Sequence, residues 1–420
     1  MNSDETVEEL SGSVFIDPER WADMDAWYAD VDRIRSQRPV ARVDREGFAP
    51  FWALTRHSDV WDVSRNNELW INTSNVVLGR DADRERAQAA GMPEPASLVQ
   101  LDGHKHRSHR AVTANWFKAG TIAARQGQVD AIADEFIDKM RAMGGECDFA
   151  ADIAQPYTLR AIMNIYGVPR QDEELMLRLT QGVFGAADPE FMGDHEDPLE
   201  AVVASVMDFI GYFDAMTEDR RRCPVDDLAT VIANAEVDGA PMGDYERLWY
   251  YIIVATAGHD TTSFALSGGM EQLVRHPDQM AALATDPALV NNAADECVRW
   301  ATPVRHFLRY ATSDTSIGGV DIPAGGRVLL SYPAANRDPE VFSDPHTFDI
   351  TRPDASKLLS FGVGAHFCLG VHFARMELRA MLERLATQLD HVELAGEPEW
   401  ATANFVSGVK HLPITYRFGD

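Results

Sequence analysis

The sequence predicts a mainly α-helical protein with a smaller β region, and three observations support that fold class. Helical periodicity dominates residues 110–299 and returns at residues 369–389. Strand-like stretches, rich in branched and aromatic residues, lie near both ends of the chain. No repeat, low-complexity linker or clean boundary separates these parts, so we expect a single domain over residues 1–420.

The elements can be assigned in chain order. A helix is predicted over residues 21–38, ending at Pro39, and a hairpin with strands at 40–42 and 48–55 follows it. Residues 72–103 are charged and weakly periodic, which predicts a long mobile loop. The later elements are strands within 307–333, with turns at Gly318–Gly319 and Gly325–Gly326, a helix over 369–389, and a terminal strand pair within 391–418.

Composition excludes several classes of function. The chain carries 66 acidic and 38 basic residues, a net charge of −28, which repels phosphate backbones and anionic lipid, so we expect neither nucleic acid nor membrane as a partner. The four cysteines lie far apart, which argues against a structural zinc site and a disulfide framework. The N-terminus lacks a signal-peptide pattern and no apolar run approaches the ~18 residues that span a bilayer, so we expect a cytoplasmic protein.

The clearest chemical signal is the glycine-rich segment around Cys368. From Phe361 it reads Phe-Gly-Val-Gly-Ala-His-Phe-Cys-Leu-Gly, and a helical run follows. Glycines let the backbone wrap closely around a flat object, and free N–H groups at a helix start stabilise a thiolate. Such a thiolate is a suitable axial ligand for haem iron. The alternative is a buried, inert cysteine in a glycine-rich turn.

Three further patterns could carry chemistry. Ala257-Gly-His-Asp-Thr-Thr262 lies in the helical stretch 250–274, where a threonine can bond a carbonyl four residues earlier and open a groove for water; the alternative is a plain helix segment. Glu296 and Arg299 share one helix face, as an ordinary solvated ion pair would. The His- and Arg-rich run 102–110 could bind an anion or a metal, or be solvated surface.

Together and in this order, these segments resemble the motifs of the cytochrome P-450 monooxygenases, over nearly the entire chain. The resemblance implies that family's triangular, helix-rich fold, which encloses haem b (iron protoporphyrin IX). It implies that Cys368 is the iron ligand through sulfur, that Phe361 packs near the sulfur and that His366 faces a haem propionate. Gly370 belongs to the same haem-binding segment.

The resemblance also assigns roles at the other motifs. Ala257 and the glycine after it would make room for dioxygen, and Asp260 and Thr261 match the acid–alcohol pair that delivers protons during oxygen activation. Two buried haem carboxylates would require cations. The residues that match the propionate contacts are His106, Arg110 and Arg309.

Glu296 and Arg299 match the family's Glu-x-x-Arg element, whose implied role is structural: it holds the turn before the cysteine. In many relatives an arginine is the third partner of this network. Here Thr347 stands at the corresponding position, so the third partner is uncertain, and His346 is the candidate substitute.

The 420 residues contain no flavin- or iron–sulfur-binding extension, so the resemblance implies separate electron donors. It implies a ferredoxin and a ferredoxin reductase that supply two electrons, dioxygen as oxidant, and insertion of one oxygen atom into a C–H bond of a small apolar substrate. We expect the ferredoxin to dock on a basic patch near Cys368. The patch comprises Arg107, Arg110, His372, Arg375 and Arg379.

The expected substrate has monoterpenoid or alkyl-aromatic size. Among bacterial members the chain is nearest in look to the branch that hydroxylates monoterpene alcohols such as terpineol, through stretches 145–149, 331–338 and 403–408. Arg305 could bind a carboxylate, but a buried unpaired arginine is costly, so we favour a position facing solvent. The apolar positions that match the family's substrate contacts are Ile253, Ala257, Val304, Phe405 and Val406.

Four alternatives remain open from the sequence. One is a peroxide-driven peroxygenase, against which Asp260 and Thr261 argue, because a peroxide route needs no proton relay. Another is hydroxylation of a larger apolar substrate, such as a steroid or a fatty acid, on the same fold. The others are a haem-based carrier or gas sensor, and a hydrolase using Cys368 with His366 or His372.

Overall fold

The computed structural model describes residues 6–89, 91, 94–185 and 187–419, and helices account for the largest share of them. The helices of the first half are α1 Val7–Val14, α2 Met24–Gln37, α3 His57–Arg65, α4 Asp81–Ala89, α5 Gly103–Ala114, α6 Ala119–Ala123, α7 Gln126–Ala142, α8 Gln155–Tyr166 and α9 Glu173–Phe184. The later helices are α10 Pro198–Arg222, α11 Leu228–Ala233, α12 Asp244–Ala257, α13 Asp260–Arg275, α14 Pro277–Thr285, α15 Val290–Ala301, α16 Tyr332–Ala335 and α17 Val371–Gln388.

The strands are short and come from both ends of the chain. They are β1 Val40–Arg45, β2 Phe48–Leu54, β3 Trp70–Ile71, β4 Glu146–Asp148, β5 Glu236–Val237, β6 Ala240–Pro241, β7 His306–Ala311, β8 Thr315–Ile317, β9 Val320–Ile322, β10 Arg327–Ser331, β11 Leu389–Leu394, β12 Glu399–Trp400, β13 Val409–His411 and β14 Pro413–Phe418. The main sheet has the order β1-β2-β10-β7-β3, in which β2 and β10 are parallel and the other neighbours antiparallel. A second sheet has the order β11-β14-β4.

Local side-chain chemistry sets several helix boundaries. The Asp23 carboxylate accepts a hydrogen bond from the backbone N–H of Ala26 at 3.0 Å and so caps the start of α2. At the C-terminal end of α8, Gly167 has φ of +87°, and a Cβ there would collide with Asp227. These boundaries follow from residue type, and the sequence predicts the first of them within three residues.

The predicted hairpin and terminal strand pair are confirmed, as β1–β2 and β11–β14. The prediction of an unstructured 72–103 segment is wrong in part, because α4 lies within it. That helix has no buried residue; ion pairs between Arg84 and Asp81 and between Arg86 and Asp83 line its surface, so it lacks the apolar stripe by which a helix is recognised. The predicted helical region 110–299 is interrupted by β4, whose partner β14 lies more than 260 residues away.

The core that positions the functional residues is built around α13. Nearly every residue of this helix is buried, and it packs against α8, α15 and α17. The glycine-rich segment ends where α17 begins, so Cys368 and the start of α13 face one shared space. Among the described residues, no helix is long and apolar enough to cross a membrane.

Candidate active site

A deep cavity lies between the start of α13, the start of α17 and the main sheet. The empty space among its lining residues, open solvent at the mouth included, is about 1550 Å³. The predicted site residues that line it are His106, Arg110, Ile253, Ala257, Thr261, Val304, Arg309, Phe361, His366, Cys368 and Gly370.

Cys368 is held at the cavity wall by its own loop. Its backbone N–H donates to the Phe361 carbonyl at 2.8 Å, and Gly364, at φ +78°, passes so close to Ser64 that a Cβ would lie 2.7 Å from the Ser64 carbonyl oxygen. Burial raises the pKa of the Cys368 thiol, while hydrogen bonds from the backbone N–H groups that start α17 oppose the rise. Among the described residues, no other cysteine lines the cavity.

Cationic and imidazole groups gather at one edge of the cavity, beside the cysteine loop. Arg309 is buried on β7 and has no ion pair among the described residues; Arg110 on α5 donates to the Phe367 carbonyl at 2.6 Å. The rings of His106 and His366 lie with their centroids 4.2 Å apart and their planes tilted by 30°. Burial lowers the pKa of His106 to about 4, and its buried Nε2 has no partner among the described residues.

Two residues at this edge went unrecognised in the sequence. The Asp102 carboxylate lies 3.1 Å from Nε2 of His366 and supplies a negative charge beside these cationic and imidazole groups. Asn72 donates to the Val99 carbonyl at 2.6 Å, and its Oδ1 is buried with no partner among the described residues. The sequence alone does not point to Asn72, because only the fold brings it next to the distant Val99.

The central helix is interrupted between α12 and α13. The Thr261 hydroxyl donates to the Ala257 carbonyl at 2.9 Å, the back-bond that the sequence predicts, and it faces the cavity. Gly258 is required here because a Cβ would lie 2.7 Å from Ile162. Asp260, in contrast, is buried behind the wall: one carboxylate oxygen lies 2.8 Å from Nδ1 of His259, and the residue does not line the cavity.

Glu377, on the second turn of α17, is the most unusual group in the cavity wall. It is 0% exposed, and neither carboxyl oxygen has a hydrogen-bond partner among the described residues. Burial raises the pKa of this carboxyl well above its usual range, and the nearby Thr262 hydroxyl opposes the shift only partly. Its environment therefore favours the protonated form of the carboxyl. Sequence reasoning missed it because glutamate on a helix is typically solvated.

A family model described as cytochrome P450 matches residues 67–404, a span that contains the cysteine loop, the interrupted helix and the cationic edge. The chain belongs to the cytochrome P450 family. It is 38% identical over 426 aligned residues to cytochrome P450-terp from a Pseudomonas species, which covers 99% of both chains. It is 34% identical to a steroid C26-monooxygenase from Mycolicibacterium smegmatis, over 91% of both chains.

Solved P450 structures agree with this assignment. CYP108D1 from Novosphingobium aromaticivorans superposes with a TM-score of 0.91 at 40% identity, covering 98% of this chain and 99% of that one. The Mycobacterium marinum CYP268A2, in complex with pseudoionone, gives 0.87 at 30% identity over 95% and 97%. The chain is thus a P450 monooxygenase, and the family implies a haem-thiolate cofactor, dioxygen and electron-transfer partners.

The residues around the cavity fit that cofactor. A thiol with convergent backbone N–H groups stands on one side, and the buried, uncompensated Arg309 with half-buried Arg110 stands at the edge, where two carboxylates would satisfy them. The partnerless Nε2 of His106 has the same requirement. The cavity would therefore suit a flat dianionic group, with Cys368 as its sulfur ligand.

The Glu296–Arg299 pair of this P450 is wholly buried rather than solvated. Arg299 donates to both Glu296 carboxylate oxygens, at 2.6 and 2.7 Å, and both side chains are 0% exposed. Its other guanidinium hydrogens reach the carbonyls of Asn336 and Pro345 at 2.9 and 3.0 Å. The pair therefore fixes the chain ahead of the cysteine loop.

The third partner of this network is Arg352, which lies 3.4 Å from Glu296. Thr347 contributes only its carbonyl, which accepts from Arg299 at 3.2 Å. The predicted substitute, His346, is wrong: its Nε2 lies 2.7 Å from the Asp32 carboxylate, outside the network. Arg352 is not recognised in the sequence because it lies five residues beyond Thr347, the position that matches the family's arginine.

Two predicted substrate contacts lie one layer behind the cavity wall. Phe405 and Val406 do not line the cavity; Val406 forms a β-bridge with Val304, and the Phe405 ring lies 5.5 Å from that of Phe307. Their expected contact with the substrate stays a prediction. Phe307, which the sequence reasoning did not single out, takes the place at the wall.

Arg305 does not face solvent, which corrects the sequence prediction. It is 1% exposed and lies between the rings of Trp21 and Trp400, at 5.2 and 5.5 Å, while donating to the Ala301 carbonyl at 2.9 Å. Burial lowers the pKa of Arg305 to about 10. It does not line the cavity, so it offers no anchor for a substrate carboxylate.

Proposed function

We propose that this P450 hydroxylates a compact apolar substrate of monoterpenoid or alkyl-aromatic size, with haem b as the cofactor ligated by Cys368. The observation that carries the proposal is the apolar wall beside Thr261, formed by Ile253, Ala257 and Val304 with Phe307. Such a wall rewards burial of hydrocarbon at about 25 cal/mol per Å². The name of P450-terp and the pseudoionone bound to CYP268A2 point to the same substrate class.

The chain's residues divide the work around the cofactor. When bound, haem supplies the redox chemistry that splits dioxygen, aided by electron donation from the thiolate. One oxygen atom enters the substrate and the other leaves as water, so each turnover takes two electrons and two protons. Arg110, Arg309 and His106 hold the carboxylates of the cofactor, and the Thr261 hydroxyl stands in the cavity as the last proton donor, supplied by Asp260.

Glu377 adds a second store of protons. Its raised pKa favours the protonated carboxyl, and the residue shares the cavity wall with Thr261. This arrangement favours a monooxygenase over the peroxygenase alternative, because peroxide brings its own protons. Turnover with peroxide at the rate supported by electron donors, and unaffected by Thr261→Ala, would instead favour the peroxygenase.

The proposed electron donor is a ferredoxin, itself reduced by a ferredoxin reductase, that docks over the cysteine loop. Phe367, adjacent to Cys368, is 38% exposed there. Two cations of the predicted patch are already engaged: Arg375 lies 2.6 Å from Asp295, and Arg379 donates to the Asn291 amide oxygen. Steering by charge is therefore weaker than the sequence predicts, and apolar contact at Phe367 carries more of the docking.

The substrate class is tested by optical titration of the purified holoprotein. Terpineol-, cymene- and alkylbenzene-like compounds should produce a low- to high-spin shift and oxygenated products, whereas long-chain acids and cholestenone-like steroids should not. The reverse ranking would instead support the larger-substrate alternative, for which the steroid C26-monooxygenase relative is the precedent. As matched variants, Phe307→Leu on the wall should weaken binding of the aromatic compounds more than Phe405→Leu behind it; equal effects would contradict the proposed wall.

A further inference from the structure

We propose that His259 is a positioning residue that holds the Asp260 carboxylate in its place behind the cavity wall and so governs proton delivery to Thr261. The inference rests on the proposed proton-donating role of Asp260. His259 stands in the break between α12 and α13, is 0% exposed, and does not line the cavity. It is therefore placed to act on the acid rather than on the substrate.

The contacts of His259 run from α9 to the acid. The Thr180 hydroxyl, buried on α9, donates to the Leu177 carbonyl at 2.9 Å. Its oxygen is then left to accept, and it lies 3.4 Å from Nδ1 of His259. The same Nδ1 lies 2.8 Å from Oδ1 of Asp260.

This geometry decides which ring nitrogen carries hydrogen. Both groups near Nδ1, the Thr180 oxygen and the Asp260 carboxylate, accept hydrogen bonds, so Nδ1 carries the N–H. The other nitrogen, Nε2, is buried and has no partner among the described residues. Among the described residues, the imidazole therefore has polar contacts through Nδ1 only. We infer that this nitrogen orients the Asp260 carboxylate.

The consequence is a defined resting place for the acid. Asp260 does not line the cavity, whereas its neighbour Thr261 does. The contact with His259 fixes the direction from which the carboxylate turns towards Thr261, and without this contact the orientation of the carboxylate in the helix break is undefined. Because proton transfer requires donor and acceptor within about 3 Å, loss of positioning lowers the rate without changing the acid itself.

Three substitutions at one position separate this role from packing. His259→Asn retains an N–H group at the position of Nδ1, whereas His259→Gln places its amide near Nε2 and His259→Phe keeps the ring without either nitrogen. We expect turnover supported by electron donors to fall about tenfold in the Phe and Gln variants and to stay within about twofold in the Asn variant. Binding of the spin-shifting substrate and peroxide-driven turnover should be unchanged in all three.

Controls come from the same helices. Thr180→Val removes the hydroxyl oxygen that orients His259. It should also slow turnover, but by less than His259→Phe does. Thr256→Val removes a buried hydroxyl of α12 that donates to the Ile252 carbonyl at 2.7 Å and makes no hydrogen bond to His259 or Asp260 among the described residues, so it should not slow turnover. In the Asp260→Asn background, His259→Phe should add no further slowing, since both changes act on one step.

The outcomes are distinguishable. Equal slowing in the Asn and Phe variants, or additive slowing in the double variant, would overturn the positioning role of His259. If Asp260→Asn itself leaves turnover and its solvent isotope effect unchanged, the proposed role of Asp260 fails, whatever the His259 variants show. Slowing of peroxide-driven turnover in His259→Phe would reveal a general packing defect and also overturn the inference.

Discussion

Replacing Glu377 by glutamine should stabilise the protein, and the gain should grow as pH rises. Burial raises the pKa of this carboxyl in the folded state, so the folded protein binds a proton that the unfolded chain releases near pH 4.3. The sign follows: below the unfolded pKa the carboxyl costs no stability, and as pH rises towards the folded pKa stability is progressively lost. Glutamine, which has no proton to retain, removes this cost.

The magnitude can be bounded from linkage. Each pH unit between the unfolded pKa and the folded pKa costs about 1.4 kcal/mol of stability, so the cost grows with pH until the folded pKa is reached. The buried position of Glu377, at 0% exposure, leaves no solvent to reduce it. The expected advantage of the Gln variant therefore increases by about 1.4 kcal/mol for each pH unit above the unfolded pKa, up to the folded pKa.

The assay is urea unfolding of holoprotein at pH 5.5, 7.0 and 8.5, followed by circular dichroism, for wild type and Glu377→Gln. Glu383→Gln, at an exposed position of the same helix, is the matched control and should change stability by less than about 0.5 kcal/mol. A stability difference that is independent of pH, or a destabilised Gln variant, would refute the reasoning. Slower turnover in Glu377→Gln, with unchanged haem content, would accompany the stability gain if Glu377 stores protons.

Three further predictions follow from the site. Thr261→Ala should retain haem but divert electrons to hydrogen peroxide, because the hydroxyl that donates the proton is lost; an unchanged product yield per electron would contradict this role. Arg299→Leu should cost about 3–5 kcal/mol in urea unfolding by stranding a buried carboxylate, whereas His346→Ala should cost under about 1 kcal/mol; equal losses would contradict the network. Arg375→Ala should slow reduction by an acidic ferredoxin, measured by stopped flow, and weaken its dependence on salt between about 0.02 and 0.2 M; kinetics unchanged by the substitution and insensitive to salt would refute the basic patch.

The parts of the site that the sequence predicts are those with local causes. The back-bond from Thr261 to Ala257 spans four residues within one helix, and the loop from Phe361 to Cys368 closes on itself through one backbone hydrogen bond. Each depends on residue type and spacing alone. The helix-rich fold and the β pairs at both ends also follow from periodicity, which is a local signal.

The parts that the sequence does not predict depend on contacts between distant segments. Glu377 becomes unusual only because α17 packs against α13, and Arg352 joins Glu296 across 56 residues. Helix α4 was missed since ion pairs rather than an apolar stripe stabilise it. The prediction that Arg305 faces solvent was wrong because two tryptophan rings from distant segments enclose its guanidinium group. The charge of the residue alone does not indicate such a contact.

The central claim is that Cys368 supplies the sulfur that binds the haem iron in this P450. The most direct measurement is the spectrum of reduced, carbon monoxide-treated protein for wild type, Cys368→Ser and the buried-cysteine control Cys297→Ser. Wild type and the control should show the red-shifted band of a thiolate-ligated haem, and Cys368→Ser should lose it while other haem absorbance remains. Survival of that band in Cys368→Ser would contradict the account.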